Sequence, residues 1–217
     1  MARKGTLDRE QITEAALGLL DEVGLAELST RKLATRLGIS SPTLYWHVQD
    51  KGQLLDLLAE AICADAFEID GSLPWREQLA SGLRQFRALL LRHRDAATLL
   101  RERPPTGPHR LGHIETTVRI LLDAGFSADE TAGIARLLAA HVLASVEQLP
   151  SVSKDAKNPF AAGEIDKPTP ASSGDYPNLR GLAPAFARLS TEDLFELGID
   201  IILDGLDHRR RRTRRKR

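Results

Sequence analysis

A chain of 217 residues that is 42% hydrophobic and 28% charged can bury a sizeable core, which excludes wholesale disorder. A single cysteine, Cys63, excludes an internal disulfide and any CxxC metal pattern, and no stretch nears the roughly 18 apolar residues of a membrane span. The formal net charge is zero, but eight of the 30 basic residues fall in 208–217, leaving 22 against 30 acidic residues elsewhere.

The N-terminal MARKGTLDRE has no apolar run behind its charges and does not read as a secretory signal, so a cytoplasmic location is expected. Ile12, Ala15, Ala16, Leu19, Leu20 and Val23 recur at helical spacing, predicting an amphipathic helix over 8–23 that Gly24 stops. Ser29 is placed to cap a second helix with Leu33, Ala34 and Leu37 inward, and Gly38 ends it. A very short helix follows, with Pro42 in its first turn and Leu44 and Val48 inward.

From about Asp50 the pattern predicts one helix to Phe67 that buries Leu54, Leu55, Leu58 and Ile62. Pro74 opens the next, with Trp75, Leu79, Leu83, Phe86 and Leu90 on one face, before Pro104, Pro105, Gly107 and Pro108 interrupt. A helix from about His109 to Asp123 is closed by Gly125. Ser127 and Glu130 form a capping box for a long helix to Leu149 carrying Ile134, Leu137, Leu138, His141, Val142 and Ser145. Five prolines and several glycines and serines in 150–178 predict a flexible loop. Helices from about Asn178 and from Thr191 complete an all-α fold, and the tail beyond His208 lacks an apolar period to anchor it.

The last helix has two apolar stripes, Leu194, Leu197 and Ile201 beside Phe195, Ile202 and Leu206. Gly198 and Gly205 lie seven apart on one face, each costing about 1 kcal/mol against alanine unless another helix approaches closely. Contact with a second copy explains this best, and tolerated glycines in an intramolecular core helix are the alternative.

Residues 30–51, TRKLATRLGISSPTLYWHVQDK, form two short helices about a glycine turn, the helix-turn-helix arrangement whose second helix enters a major groove. With the inward positions subtracted, Thr30, Arg31, Ser41, Thr43, Tyr45, Trp46, His47 and Lys51 face outward. Hydroxyls, cations and two adjacent aromatics suit phosphate oxygens and base edges. Packing of Tyr45 and Trp46 between helices is the plainer reading, opposed by Leu44 and Val48 already filling the inward side.

This segment, with the A-L-x-LL-x-EVG helix before it, resembles the N-terminal domain of the tetracycline repressors (the TetR family). The likeness continues through LLDLLAEAI, QFRALLLRHRDAA at 85–97, Arg103-Pro104, AGFS at 124–127 and the Phe195, Gly198, Gly205-Leu206 pattern. It implies a helix-turn-helix DNA-binding domain over 1–50 and a larger ligand-binding and dimerisation domain over 51–217, the whole a homodimeric repressor of operator DNA released by a small-molecule inducer. The long helix 127–149 and the last helix would form the dimer bundle. Arg31 is implied to read a base; Thr30, Thr43, Tyr45 and Lys51 to touch phosphates; Ser41 and Pro42 to approach bases; Trp46 and His47 to meet backbone and groove. Ser41 stands where many tetracycline repressors have glutamine.

An apolar ligand pocket is expected in the larger domain, with Phe67, Phe86, Arg103, Thr117, His141 and Gln148 as candidates. The family's drug-binding asparagine matches Gly82, its metal-coordinating histidine falls near Leu100, and Phe67 replaces another drug-binding histidine, so a magnesium–tetracycline chelate loses most of its polar partners. His109 and His113 are four apart, a spacing compatible with a metal, but lack a third ligand and read as solvated or locally hydrogen-bonded. No metal or organic cofactor is expected. Nor does the sequence offer an HExxH, a paired Glu-x-x-His set or a phosphate-cradling glycine loop, which argues against an enzyme. An architectural DNA binder without ligand control would not need so large a second domain.

Overall fold

The computed structural model describes residues 8–65, 67–147 and 176–214, and every element among them is an α-helix. They run α1 (Arg9–Glu27), α2 (Thr30–Leu37), α3 (Ser41–Tyr45), α4 (Lys51–Ile62), α5 (Trp75–Leu91), α6 (Ala96–Glu102), α7 (Pro108–Asp123), α8 (Ala128–Glu147), α9 (Pro177–Arg188) and α10 (Thr191–Arg214). Side-chain caps open several of these helices, and those at Ser29 and at Ser127 with Glu130 were legible in the sequence. Ser29, Ser40 and Asp50 accept the N–H of Lys32, Thr43 and Gln53, and Ser127 and Glu130 cap each other's backbone at α8. Most of the expected loop at 150–178, together with Gln148, lies outside the described residues.

Helices α1 to α3 pack around Ile12, Ala16, Leu20, Leu33, Leu44 and Val48. Helix α4 continues that core through Leu54 and Leu58, both fully buried, and packs on α1 as well as on α6 and α7. The same core runs on between α5, α7, α8 and α10 around Leu90, Leu121, Leu138, Val142 and Phe195. Helix α10 lies antiparallel to α5. Arg87 pairs with Glu192, Arg84 with Glu196 at 2.6 Å, and Arg76 with Asp204 at 2.6 Å, so successive partners descend one helix as they climb the other. Arg87 is itself only 6% exposed, its guanidinium 4.7 Å above the Phe195 ring.

Several expectations need correction. The first helix does break at Gly24, as expected (φ 77°, ψ 170°), but the chain resumes for one more turn to Glu27. The kink has a partner far along the chain, because the N–H of Leu25 donates to Asp95 Oδ2 at 2.8 Å. Asp95 is the one non-glycine with positive φ among the described residues (57°), and it separates α5 from α6, a helix with no counterpart in the sequence reading. Helix α4 ends at Ile62 rather than Phe67, since Cys63 turns out of helical geometry and its N–H bonds back to Glu60. The terminal basic segment is helical to Arg214 instead of frayed: Asp207 pairs with Arg210 and Arg211, and Arg210 lies 5.3 Å from the Trp75 ring centroid.

The Gly24–Asp95 contact ties the N-terminal helices to the α5–α6 corner, and a Cβ at Gly24 would lie 2.9 Å from Asp95 Oδ2. Gly24→Ala should cost about 1–3 kcal/mol through backbone strain. Asp95→Ala should cost a similar amount, about 1–3 kcal/mol, by orphaning the Leu25 N–H. Urea unfolding of both single variants and the double variant should show a loss smaller than their sum, because the two changes break one contact.

Candidate functional site

The sequence builds a protruding face where α2 meets α3. Gly38 takes the left-handed conformation (φ 65°), which lets its N–H reach the Thr35 carbonyl and the chain reverse. The Ser40 hydroxyl bonds the Thr43 N–H at 3.3 Å and its hydroxyl at 2.8 Å, which starts α3 at once. Leu44 and Val48 are buried beneath it. Arg31, Ser41, Pro42, Thr43, Tyr45, Trp46, His47 and Lys51 are all exposed, and Thr30 is half-buried at the edge of the same face.

Trp46 is 89% exposed. A large apolar ring left that far out on a well-packed helix unit has no role in holding it together. Packing between helices is thereby ruled out for the indole. The cations divide into two kinds. Lys32 pairs with Glu27 at 2.8 Å and Arg36 with Glu22 at 2.6 Å, whereas neither Arg31 nor Lys51 has a salt-bridge partner among the described residues.

A cavity of about 220 Å³ opens between the end of α4, the segment through Ile69, and α5, α7 and α8. Phe67, Phe86 and Thr117, expected as pocket residues, line it. Phe67 stacks on His113 at 3.9 Å between centroids, and Phe86 meets His113 edge-on at 6.5 Å. Burial pushes the Cys63 thiol up to about 12, so the cavity's one thiol stays protonated.

The comparisons with known proteins agree with this layout. Residues 12–58 match the family described as bacterial regulatory proteins, tetR family, and residues 70–210 match the tetracyclin repressor-like C-terminal domain. The chain belongs to the TetR family. The tetracycline repressor protein class A from transposon 1721 of Escherichia coli is 35% identical over 209 residues, 94% of this chain and 92% of that one. Streptomyces coelicolor ActR, solved with actinorhodin, has a TM-score of 0.79 at 33% identity, covering 93% of this chain and 97% of that one. The class A repressor with 5a,6-anhydrotetracycline and magnesium has a TM-score of 0.66 at 29% identity, covering 93% of this chain and 99% of that one. This TetR-family chain is thus a ligand-responsive DNA-binding regulator and not an enzyme.

Two expected pocket residues of this regulator lie elsewhere. Arg103 makes a bidentate pair with Asp56 on the flank of α4, both bonds 2.8 Å, outside the cavity. His141 sits on the side of α8 away from the cavity-lining Ala135, Ala139 and Leu143, where its Nε2 donates to the Phe195 carbonyl at 3.0 Å. Gly198 exists for that ring, since a Cβ there would lie 2.1 Å from His141 Cε1; the close approach inferred for this glycine is intramolecular. Gly205 by contrast faces open space.

Sequence reasoning missed Gln78, Arg110, Arg136 and the role of His113, all of which line the cavity. His113 was findable, being one helical turn from the expected Thr117. Its Nε2 is 2.9 Å from the Asp65 carbonyl, just beyond α4. Glu60 of α4 accepts the N–H groups of His109 and Arg110 at the start of α7, and a Cβ at Gly107 would overlap its carboxylate. Ligand cavity and α4 therefore share polar contacts.

Burial lowers the His113 pKa. The unfolded chain then binds this proton more readily than the folded one. The contribution to stability is full above the unfolded value of about 6.5 and is lost as pH falls through it toward the lower folded value. Between about pH 7.5 and 5.5 the wild type should lose more stability than His113→Phe, read from urea titrations at each pH.

Proposed function

We propose that the chain is a cytoplasmic repressor that binds a palindromic operator as a homodimer and leaves it when a small molecule fills the cavity. The observation that carries the reading is the α2–α3 face, where an 89% exposed Trp46 and a half-exposed Tyr45 stand beside the unpaired Arg31 and Lys51. Neither cation has a salt-bridge partner among the described residues, and the set matches what a major groove and its phosphates offer. Arg31 reads a base with Ser41 and Pro42 against neighbouring base edges. Thr30, Thr43, Tyr45 and Lys51 hold phosphates, and Trp46 and His47 meet backbone and groove.

A second copy supplies the two-fold symmetry of a palindrome. Leu137 of α8 and Leu194, Leu197 and Ile201 of α10 are 41–62% exposed and lie on neighbouring helices, an apolar stripe that a second α8–α10 pair would cover. Charge on that stripe should abolish it: Leu197→Glu with Ile201→Glu should give monomers in sedimentation and lose operator binding. A wild-type monomer that protects a palindrome would contradict the reading.

Release runs through α4. Its N-terminus follows the reading face directly and its far end is held by the Asp56–Arg103, Glu60–α7 and Asp65–His113 contacts. A ligand that alters the packing at this end tilts α4 and changes the spacing of two recognition helices on a fixed operator. A 100-fold loss of operator affinity needs about 2.7 kcal/mol of differential ligand affinity, and operator must weaken ligand binding equally. ActR and the class A repressor were solved with actinorhodin and with anhydrotetracycline and magnesium. Here Gly82 and Leu100 line the cavity with no polar side-chain atom, so the inducer differs from a magnesium–tetracycline chelate.

DNA-contact roles separate in titration. Arg31→Ala should cost about 1–3 kcal/mol and relax preference at one base pair. Lys51→Ala should weaken all sequences alike and lower the salt slope by about one. Equal losses on every sequence for both variants would remove Arg31 from base reading.

A further inference from the structure

We infer that the cavity is built for a hydroxylated aromatic molecule of about two fused rings, whose neutral hydroxyls donate to His113 Nδ1 and Gln78 Oε1. The inference rests on the ligand-responsive reading above and names the ligand's chemistry. A carbonyl can only accept, so the His113 Nε2 beside the Asp65 carbonyl carries the ring proton, and Nδ1 of the neutral imidazole is an acceptor. Nδ1 is buried and has no partner. The same logic fixes Gln78: its Nε2 donates to the carbonyls of Gly71 and Leu73, which leaves Oε1, also buried, with no donor. Of the five buried side-chain polar atoms without partners among the described residues, these two are on neutral residues that line one cavity.

The cavity's hydroxyls point the same way. Thr116 and Thr117 each spend their proton on a backbone carbonyl four residues back, Gly112 and His113, and keep only acceptor capacity. Apart from the weakly donating Cys63 thiol, the neutral polar groups of the lining thus lack free donors, and a ligand that supplies them recovers bonds the free protein leaves unmade. Ammonium donors are disfavoured because Arg110, held by the Leu100, Arg103 and Pro104 carbonyls, and Arg136 make the wall cationic. Phenolic hydroxyls fit, being neutral donors that a nearby cation strengthens.

Ring and size follow from the walls. The Phe67, Phe86 and His113 rings present stacked and edge-on surfaces to a flat ligand. A dry cavity of about 150 Å³ holds one benzene ring, so about 220 Å³ admits roughly one ring more.

The test uses the full chain and naphthalene probes in calorimetry: 1,5-dihydroxynaphthalene against its dimethyl ether, with the ethers unable to donate. The diol should bind the wild type at least about tenfold tighter than the ether. His113→Phe keeps the ring and removes the acceptor, and Gln78→Met does the same at the second position; each should erase most of that preference while leaving ether affinity in place. Equal affinities of diol and ether for the wild type, or no binding of either, overturn the inference without any variant. A preference that survives both substitutions overturns it as well. Operator affinity measured alongside separates the two claims. Release by the ether as readily as by the diol leaves a ligand-responsive repressor and sinks the phenolic ligand. Tighter diol binding without any change in operator affinity upholds the phenolic site and sinks release through it.

Discussion

Helix α4 must satisfy two packing surfaces at once, and the rest of the molecule is arranged around that demand. Leu54 and Leu58 are withdrawn completely from solvent, with α1 on one side and α6 and α7 on the other. Neither neighbour could move far without exposing them, which at about 25 cal/mol per Å² makes independent motion of the two halves costly. A twelve-residue helix is short for such a post, about 18 Å. Two acidic side chains on its flank and the turn after it add what burial alone lacks, namely direction: Asp56 grips Arg103, Glu60 grips the start of α7, and Asp65 beyond the helix is gripped by His113 and Arg92. Apolar contact holds α4 in place, and the polar contacts fix which way it leans.

Much of this was legible in the chain because it rests on local rules. Caps, glycine turns and the three-to-four spacing of leucines depend on neighbours within one helical turn, and they placed α1 to α5 and α7 to α10 in the correct order. The outward face of α3 was legible for a different reason: Trp46 is apolar at a position where the helix has no remaining interior to offer it, and it is 89% exposed. What escaped was set by partners distant in sequence. Asp95 breaks a helix to reach Leu25, seventy residues away. Arg103 was assigned to the pocket, yet Asp56 claims it. His141 has the right chemistry for a ligand contact, but α10 covers that side of α8 and Gly198 has been kept small to admit its ring. Gln78 gave no signal at all, since its importance arises only when its amide is spent on two loop carbonyls and its oxygen is left alone.

The antiparallel course of α10 along α5 has an outcome for how the molecule meets DNA. The α5–α6 corner, through His93 and Arg94, touches Asp21 of α1, whereas the N-terminal end of α5, at Trp75, receives Arg210. A seventeen-residue helix, about 25 Å, separates those ends. Arg210 therefore sits at the Trp75 end of α5, about one helix length from the corner that touches α1. Asp207 holds Arg210 and Arg211 there, and Glu130 lies 4.0 Å from Arg209. Acidic neighbours thus already offset much of the charge that a polyanion would meet at that end, so a count of arginines in the sequence overstates its pull.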